Sequence, residues 1–119
     1  MNCNIDLEKY NFKKDNNVYY YISPIVLKRS NDFLTIYCEM QGEDIVLTDK
    51  AQLLMEYDMP IIDLDYLVKK AKNLAKKYNL INNNMSLCRT IKNGNVHMAL
   101  SELIKSIVLI EKEMENLIN

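Results

Sequence analysis

Four carboxylates and a lysine lie close together in the chain: Asp32, Glu39, Asp44, Asp49 and Lys50. They fall on or beside text that alternates like neighbouring β-strands. Strand-borne acids with a lysine nearby are the raw material of a magnesium-dependent nuclease, in which carboxylates hold the ion and the ion activates water. Glu39 and Asp49 approach each other if the intervening hairpin pairs in the right register. Each acid also has a folding role. Asp32 belongs to a Ser-Asn-Asp turn, Glu43 and Asp44 end a hairpin, and Asp49 heads a helix. The acids therefore read first as folding punctuation. The expectation is no catalytic residue, no metal site and no cofactor, with the nuclease kept as an alternative.

Thiol and imidazole chemistry finds less support. Cys3, Cys38 and Cys88 are scattered, and no two have metal-ligand spacing. A zinc site would need all three to converge with His97, the only histidine. Three cysteines cannot pair fully within one chain, so reduced thiols are expected. Cys38 alternates with Leu34, Ile36 and Met40, which places it on a core face as a small apolar residue. Cys38 or Cys88 acting as a nucleophile with His97 as base is left open by the text alone. His97 itself reads as a half-exposed residue in a first helical turn. Gly42 and Gly94 are the only glycines, so a glycine-rich phosphate loop is excluded.

The strongest signal outside the core is charge segregation. Residues 1 to 60 carry six basic against ten acidic residues, and residues 61 to 119 carry nine against six. Lys69, Lys70, Lys72, Lys76, Lys77, Arg89 and Lys92 follow one another with no acid between residues 66 and 101. Such a run forgoes i, i+4 ion pairs, and its like charges repel. A basic ridge of this kind suits a phosphate backbone or an acidic protein surface. At the opposite pole, Glu39, Glu43 and Asp44 form an acidic edge able to mimic nucleic-acid phosphates. No specific base-reading motif is present.

The elements that position these groups are legible from periodicity. Residues 4 to 12 predict a short helix. In "VYYYIS", Val18, Tyr20 and Ile22 alternate with Tyr19, Tyr21 and Ser23, as on the two faces of a strand. Pro24 marks an edge or a bend. "FLTIYCEM" alternates again, Gln41-Gly42-Glu43 connects a hairpin, and "DIVLT" closes a meander of three or four strands. Asp49 with Gln52 predicts a capping box on a short helix that ends at Met59-Pro60. Asp63 or Asp65 caps the next helix, in which Leu64, Leu67, Val68, Ala71, Leu74, Ala75 and Tyr78 recur at helical spacing. The Asn82 to Asn84 run predicts a loop, and "MSLCRTI" a short strand. The frequent Asn reads as compositional bias without mechanism. A last helix starts near Asn95. It is apolar over so much of its circumference that it lies centrally or meets a second copy through Ile107, Leu109, Ile110 and Met114.

The reading is thus one α+β domain over residues 1–119: an antiparallel meander of three or four strands packed by two or three helices, with a long apolar C-terminal helix. Residues 1 to 12 lack an apolar run, so no signal peptide is expected, and no membrane span is present. A cytoplasmic protein is the expectation.

Residues 22 to 54, "ISPIVLKRSNDFLTIYCEMQGEDIVLTDKAQLL", resemble a bacterial and phage-linked family of unknown function, numbered 1828. The matching features are Pro24, the turn residues Arg29, Asn31 and Asp32, Tyr37 in an alternating strand, and Leu47-Thr48-Asp49 opening a helix. One departure stands out: the family follows that triplet with an acid and a Gly, whereas this chain has Lys50 and Ala51. If that Gly serves a tight turn, the turn here differs. The resemblance implies no settled activity and points to cargo of prophages and defence-related islands. The functional expectation is a non-catalytic inhibitor that binds and occludes a host protein or ribonucleoprotein complex, such as a defence nuclease. An accessory nucleic-acid-binding module using the Lys-rich helix is the second expectation.

Overall fold

The computed structural model describes residues 5–118. A 3-10 turn (Leu7–Tyr10) leads into β1 (Lys13–Asp15), β2 (Val18–Val26), β3 (Phe33–Gln41) and β4 (Asp44–Thr48). Then come α1 (Gln52–Met55), α2 (Leu64–Lys77), β5 (Ile81–Asn83), β6 (Ser86–Thr90) and α3 (Val96–Ile118). The strands form one antiparallel sheet in the order β1-β2-β3-β4-β6-β5. The fold is α+β, and its sheet is wider than the expected meander. The two extra strands, β1 and β5, are three-residue edges. Polar residues and shortness hid them from any periodicity argument, and both properties blunt an edge against pairing with another chain. The asparagine run expected as a loop is mostly strand: Asn82 and Asn83 belong to β5, and Asn84 makes the turn to β6.

Asparagine turns out to have a mechanical role. Seven of the nine non-glycine residues with positive φ among the described residues are Asn: positions 11, 16, 17, 31, 79, 84 and 93. Asn tolerates the left-handed region better than other side chains, so it closes the hairpins and helix ends of a glycine-poor chain. The other two are Lys50 (φ 50) and Ala51 (φ 66). The turn after Leu47-Thr48-Asp49 thus adopts left-handed backbone even where Ala occupies it. A Cβ in this region costs about 1 kcal/mol relative to Gly. Ala51→Gly is expected to raise the unfolding free energy by about 0.5–1 kcal/mol in chemical denaturation.

The predicted alternation sorts the sheet faces. Leu34, Ile36 and Cys38 of β3, Leu47 of β4 and Leu87 of β6 enter the core, where they meet Leu53, Leu54, Leu67, Leu74, Leu103 and Ile107 of the helices. Met40, expected on the same face, lies exposed near the strand end. At Pro24 the β2–β3 register slips between Ile22 and Val26, the bend that a residue without an N–H imposes. Asp63 caps α2 by accepting from Asp65 N–H at 3.0 Å. Asn95 caps α3 by accepting from Met98 N–H at 3.1 Å.

The capping box at α1 is corrected. Asp49 does accept from the helix start, but Gln52 points away. Its Nε2 donates to the Phe33 carbonyl (2.9 Å) and its Oε1 accepts from Thr35 N–H (2.8 Å). One side-chain amide thereby stands in for a strand beside β3 where β4 has ended. The self-association face is corrected as well. Ile107 and Ile110 are 0% exposed and Met114 1%, all within the chain's own core, whereas Leu109 is 39% exposed. Helix α3 is central because it packs on β4, β6 and the 3-10 turn, which bury one side of its apolar stripe. Among the described residues, no helix is long and apolar enough to cross a membrane.

Candidate interaction surface

Because the core side chains leave the sheet on one face, the other face carries the alternate residues. The strand registers line up one row across all six strands: Lys13, Tyr20, Tyr37, Thr48, Cys88 and Ile81. Beside it lie the paired Ile22 and Thr35, with the exposed Val18 and Phe33 nearby. Lys50 sets its ammonium 4.4 Å from the centre of the Tyr37 ring, a cation–π contact on this face. A shallow depression of about 460 Å³ runs between Asp15, Val18, Tyr20, Ile22 and Tyr37. Over β1 to β3 the exposed Val18, Ile22 and Phe33 and the part-buried Tyr20 and Tyr37 make a contiguous patch, whereas Val46, Thr48 and Cys88, on the same side of β4 and β6, are buried.

The acidic edge borders this patch. Glu39 lies on β3 opposite Val46, and its carboxylate accepts from Gln41 Nε2 at 3.2 Å. Glu43 occupies the exposed β3–β4 turn and Asp44 begins β4. The three acids therefore gather at one end of the open face, as the sequence arrangement implied.

The basic ridge does not stay whole. Lys77 forms an ion pair with Glu113 of α3 at 2.9 Å, and Lys70 also acts on that carboxylate. Hydrogen bonds from Tyr78 and then Lys77 hold the Glu113 carboxyl below its ordinary value. Arg89 pairs with Glu102 of α3 and donates to the Asn79 carbonyl at 3.3 Å. The acids missing from i, i+4 positions on α2 are thus supplied by another helix. Lys69, Lys72 and Lys76 stand exposed on the outer stripe of α2, and Lys92 lies apart in the loop after β6.

The potential catalytic groups are likewise placed. Asp49 is fully buried. Its Oδ1 accepts from the N–H groups of Ala51 (3.0 Å) and Leu87 (3.0 Å), and its Oδ2 from Leu53 (3.2 Å). Burial pushes its carboxyl up to about 6, against the pull of those three donors. Asp49 is a tie between α1 and β6. In the β2–β3 turn the bonding side chain is Ser30, whose hydroxyl accepts from Asp32 N–H and donates to Glu56. Cys38 and Cys88 are buried, and burial raises the Cys88 thiol, the opposite of what a nucleophile requires. Exposed His97 lines a different groove from Cys88. Among the described residues, no group of three or more His, Cys, Asp and Glu is arranged to hold a metal ion. Cys3 lies outside the described residues.

Sequence reasoning missed one polar cluster. Glu115 of α3 accepts from Arg29 Nε (2.9 Å) and from the Tyr57 hydroxyl (2.6 Å), while Arg29 lies 5.6 Å over the Tyr57 ring. One turn earlier, Glu111 accepts from Lys28 N–H at 2.9 Å. The cluster clamps the β2–β3 turn and the segment after α1 onto the last turns of α3. Its available signal was Arg29 in the turn; Glu115 lies 86 residues from Arg29, and Glu111 lies 83 from Lys28.

Taken together, these features define an α+β domain whose outer sheet face is open over β1 to β3, with Asp49, Glu102, Glu113 and Glu115 tied up in structural contacts. The chain belongs to the family described as Domain of unknown function DUF1828, whose model matches residues 24–110. The matched stretch begins at Pro24, holds the Arg29 turn, the Asp49 tie and the β3 part of the open face, and ends inside α3, while Val18, Tyr20 and Ile22 precede it. No curated protein and no solved structure matches the chain.

Proposed function

We propose that this domain acts by binding, and that it occludes a macromolecular partner with the open face of its sheet. One observation carries the reading: Tyr20, Tyr37, Ile22 and Phe33 lie in neighbouring registers on the part of the outer sheet face that is accessible over β2 and β3, on the same side as Glu39 and Asp44. An apolar, aromatic centre with a charged rim is the composition of protein-docking surfaces, where aromatic anchors supply most of the energy and rim charges steer the encounter. Acids on the rim favour a basic target. The surface of a nucleic-acid channel has that charge, so a nuclease complex of host defence is the partner class this reading favours. The inhibitor would stand where phosphates otherwise bind.

The test is affinity capture from the source cells with tagged protein, followed by a binary binding assay with the captured partner. Glu39→Lys combined with Asp44→Lys is expected to weaken that binding by about 10- to 100-fold, mostly through slower association at low salt. Phe33→Ser is expected to speed dissociation. Lys69→Glu, Lys72→Glu and Lys76→Glu together are expected to leave it unchanged. The exposed lysine stripe of α2 supports a second reading, the nucleic-acid-binding module. That reading wins if the lysine variants alone lose binding and the bound species is DNA or RNA, released steeply by salt.

A further inference from the structure

A second surface lies on the other side of the sheet. The helices cover that side unevenly: α1 packs on β3, α2 on β5 and β6, and α3 on β4 and β6. Along β2 the inner face carries the part-buried Tyr19, Tyr21 and Ile25, with the Phe12 ring 5.7 Å from that of Tyr21. A groove of about 730 Å³ runs there, floored by Tyr21 and Ile25 of β2 and walled by Tyr10 and the α3 residues Leu100, Ile104 and Val108. It follows α3 from His97 to Leu109, about 18 Å at 1.5 Å per residue, the length of three helical turns. Val108 and Leu109 leave more than a third of their surface in water. Among the described residues, the charged side chains lining the groove are Lys9 and Lys105, with His97 at one end, and no Asp or Glu lines it.

These observations select among occupants. An added β-strand is disfavoured, because the free part of β2 contains Pro24 and a register slip. A second copy seated symmetrically through α3 would bring Lys105 and the exposed Lys112 of each chain toward their counterparts. We propose that the groove docks an acidic amphipathic α-helix from a partner protein. Apolar side chains at i, i+4 and i+7 of that helix enter between Tyr21, Ile25 and Ile104, and flanking Asp or Glu residues meet Lys9 and Lys105. This surface is separate from the open sheet face, and neither proposal needs the other.

The probe is a displayed library of random 16-residue peptides, selected on the immobilised full-length protein. The expected winners are acidic, with apolar residues at helical spacing. A synthetic winner should shift the amide resonances of Tyr10, Tyr21, Ile25, Ile104 and Val108. Lys9→Glu with Lys105→Glu should weaken binding by about tenfold or more, and Val108→Asp should abolish it, with circular dichroism unchanged. Tyr37→Ala, on the opposite face, should leave it intact. The proposal is overturned if no sequence is enriched, if the winners are basic or proline-rich, or if the shifts map elsewhere. Light scattering that finds a dimer dispersed by Val108→Asp overturns it too, by giving the groove to a second copy.

Discussion

Asp49→Ala is expected to lower the unfolding free energy by about 2–4 kcal/mol, measured by urea denaturation at pH 7. The substitution strips the acceptor from three backbone N–H groups, two of them in fully buried hydrogen bonds to Leu53 and Leu87. A buried donor left without an acceptor costs about 1–3 kcal/mol. Loss of the carboxylate also removes its own desolvation cost, which offsets part of that. The same residue sets a pH dependence whose sign follows from its raised value. In the folded chain the carboxyl sits at about 6 rather than its ordinary 3.8. Between about pH 4 and 6 the folded state therefore holds a proton that the unfolded state has released, and stability rises as the pH falls through that window. It levels off near pH 4, where part-buried carboxylates such as Glu113, held below its ordinary value, begin to act in the opposite direction. Asp49→Asn has no proton to take up and is expected to lose the rise. The check is the difference between the denaturation midpoints of wild type and Asp49→Asn from pH 7 to 4. A flat difference would assign the tie's energetics to hydrogen bonding alone.

Tyr57→Ala is expected to destabilise the domain by about 3–5 kcal/mol, the usual range for deleting a fully buried aromatic. Two losses combine at this site. The ring packs in the core beneath the Arg29 guanidinium, and the hydroxyl donates to Glu115. Burial, followed by the hydrogen bond to Glu115, raises the phenol, so the hydroxyl keeps its proton and stays a donor throughout the physiological range. Tyr57→Phe separates the two contributions. It retains the packing and leaves Glu115 to Arg29, so a loss of about 1 kcal/mol is expected. If the Phe variant is as unstable as the Ala variant, the clamp and not the packing dominates. Equal stability of the Phe variant and wild type would make the hydroxyl irrelevant.

Much of this molecule was readable without coordinates. The alternation from Phe33 to Met40 showed which residues of β3 face inward, apart from Met40 at the strand end. The 3.6-residue spacing from Leu64 to Tyr78 located α2. Asp63 or Asp65 and Asn95 announced helix starts, and of the two acids Asp63 is the cap. Each of these is a local property, determined by backbone geometry within a few residues of the signal. The breadth of the apolar stripe on α3 likewise required burial on more than one side. It left two burial partners open, the rest of the chain or a second copy.

Tertiary structure decided what depends on distant residues meeting. It placed Ile107, Ile110 and Met114 inside the chain's own core. It broke the lysine ridge by bringing Glu102 and Glu113 across from α3. It also turned Asp49 from a helix cap into a tie to β6, because Leu87, 38 residues on, arrives beside it. The short edges β1 and β5 exist only through their neighbours' hydrogen bonds, since three residues, all polar in β1 and two of them Asn in β5, hold no strand conformation by themselves. Local sequence determines the conformation a segment favours and which of its sides is apolar. Which charges neutralise one another, and which apolar face stays open to a partner, follows from helix docking and strand register, where the free energy comes from contacts between residues far apart in the chain.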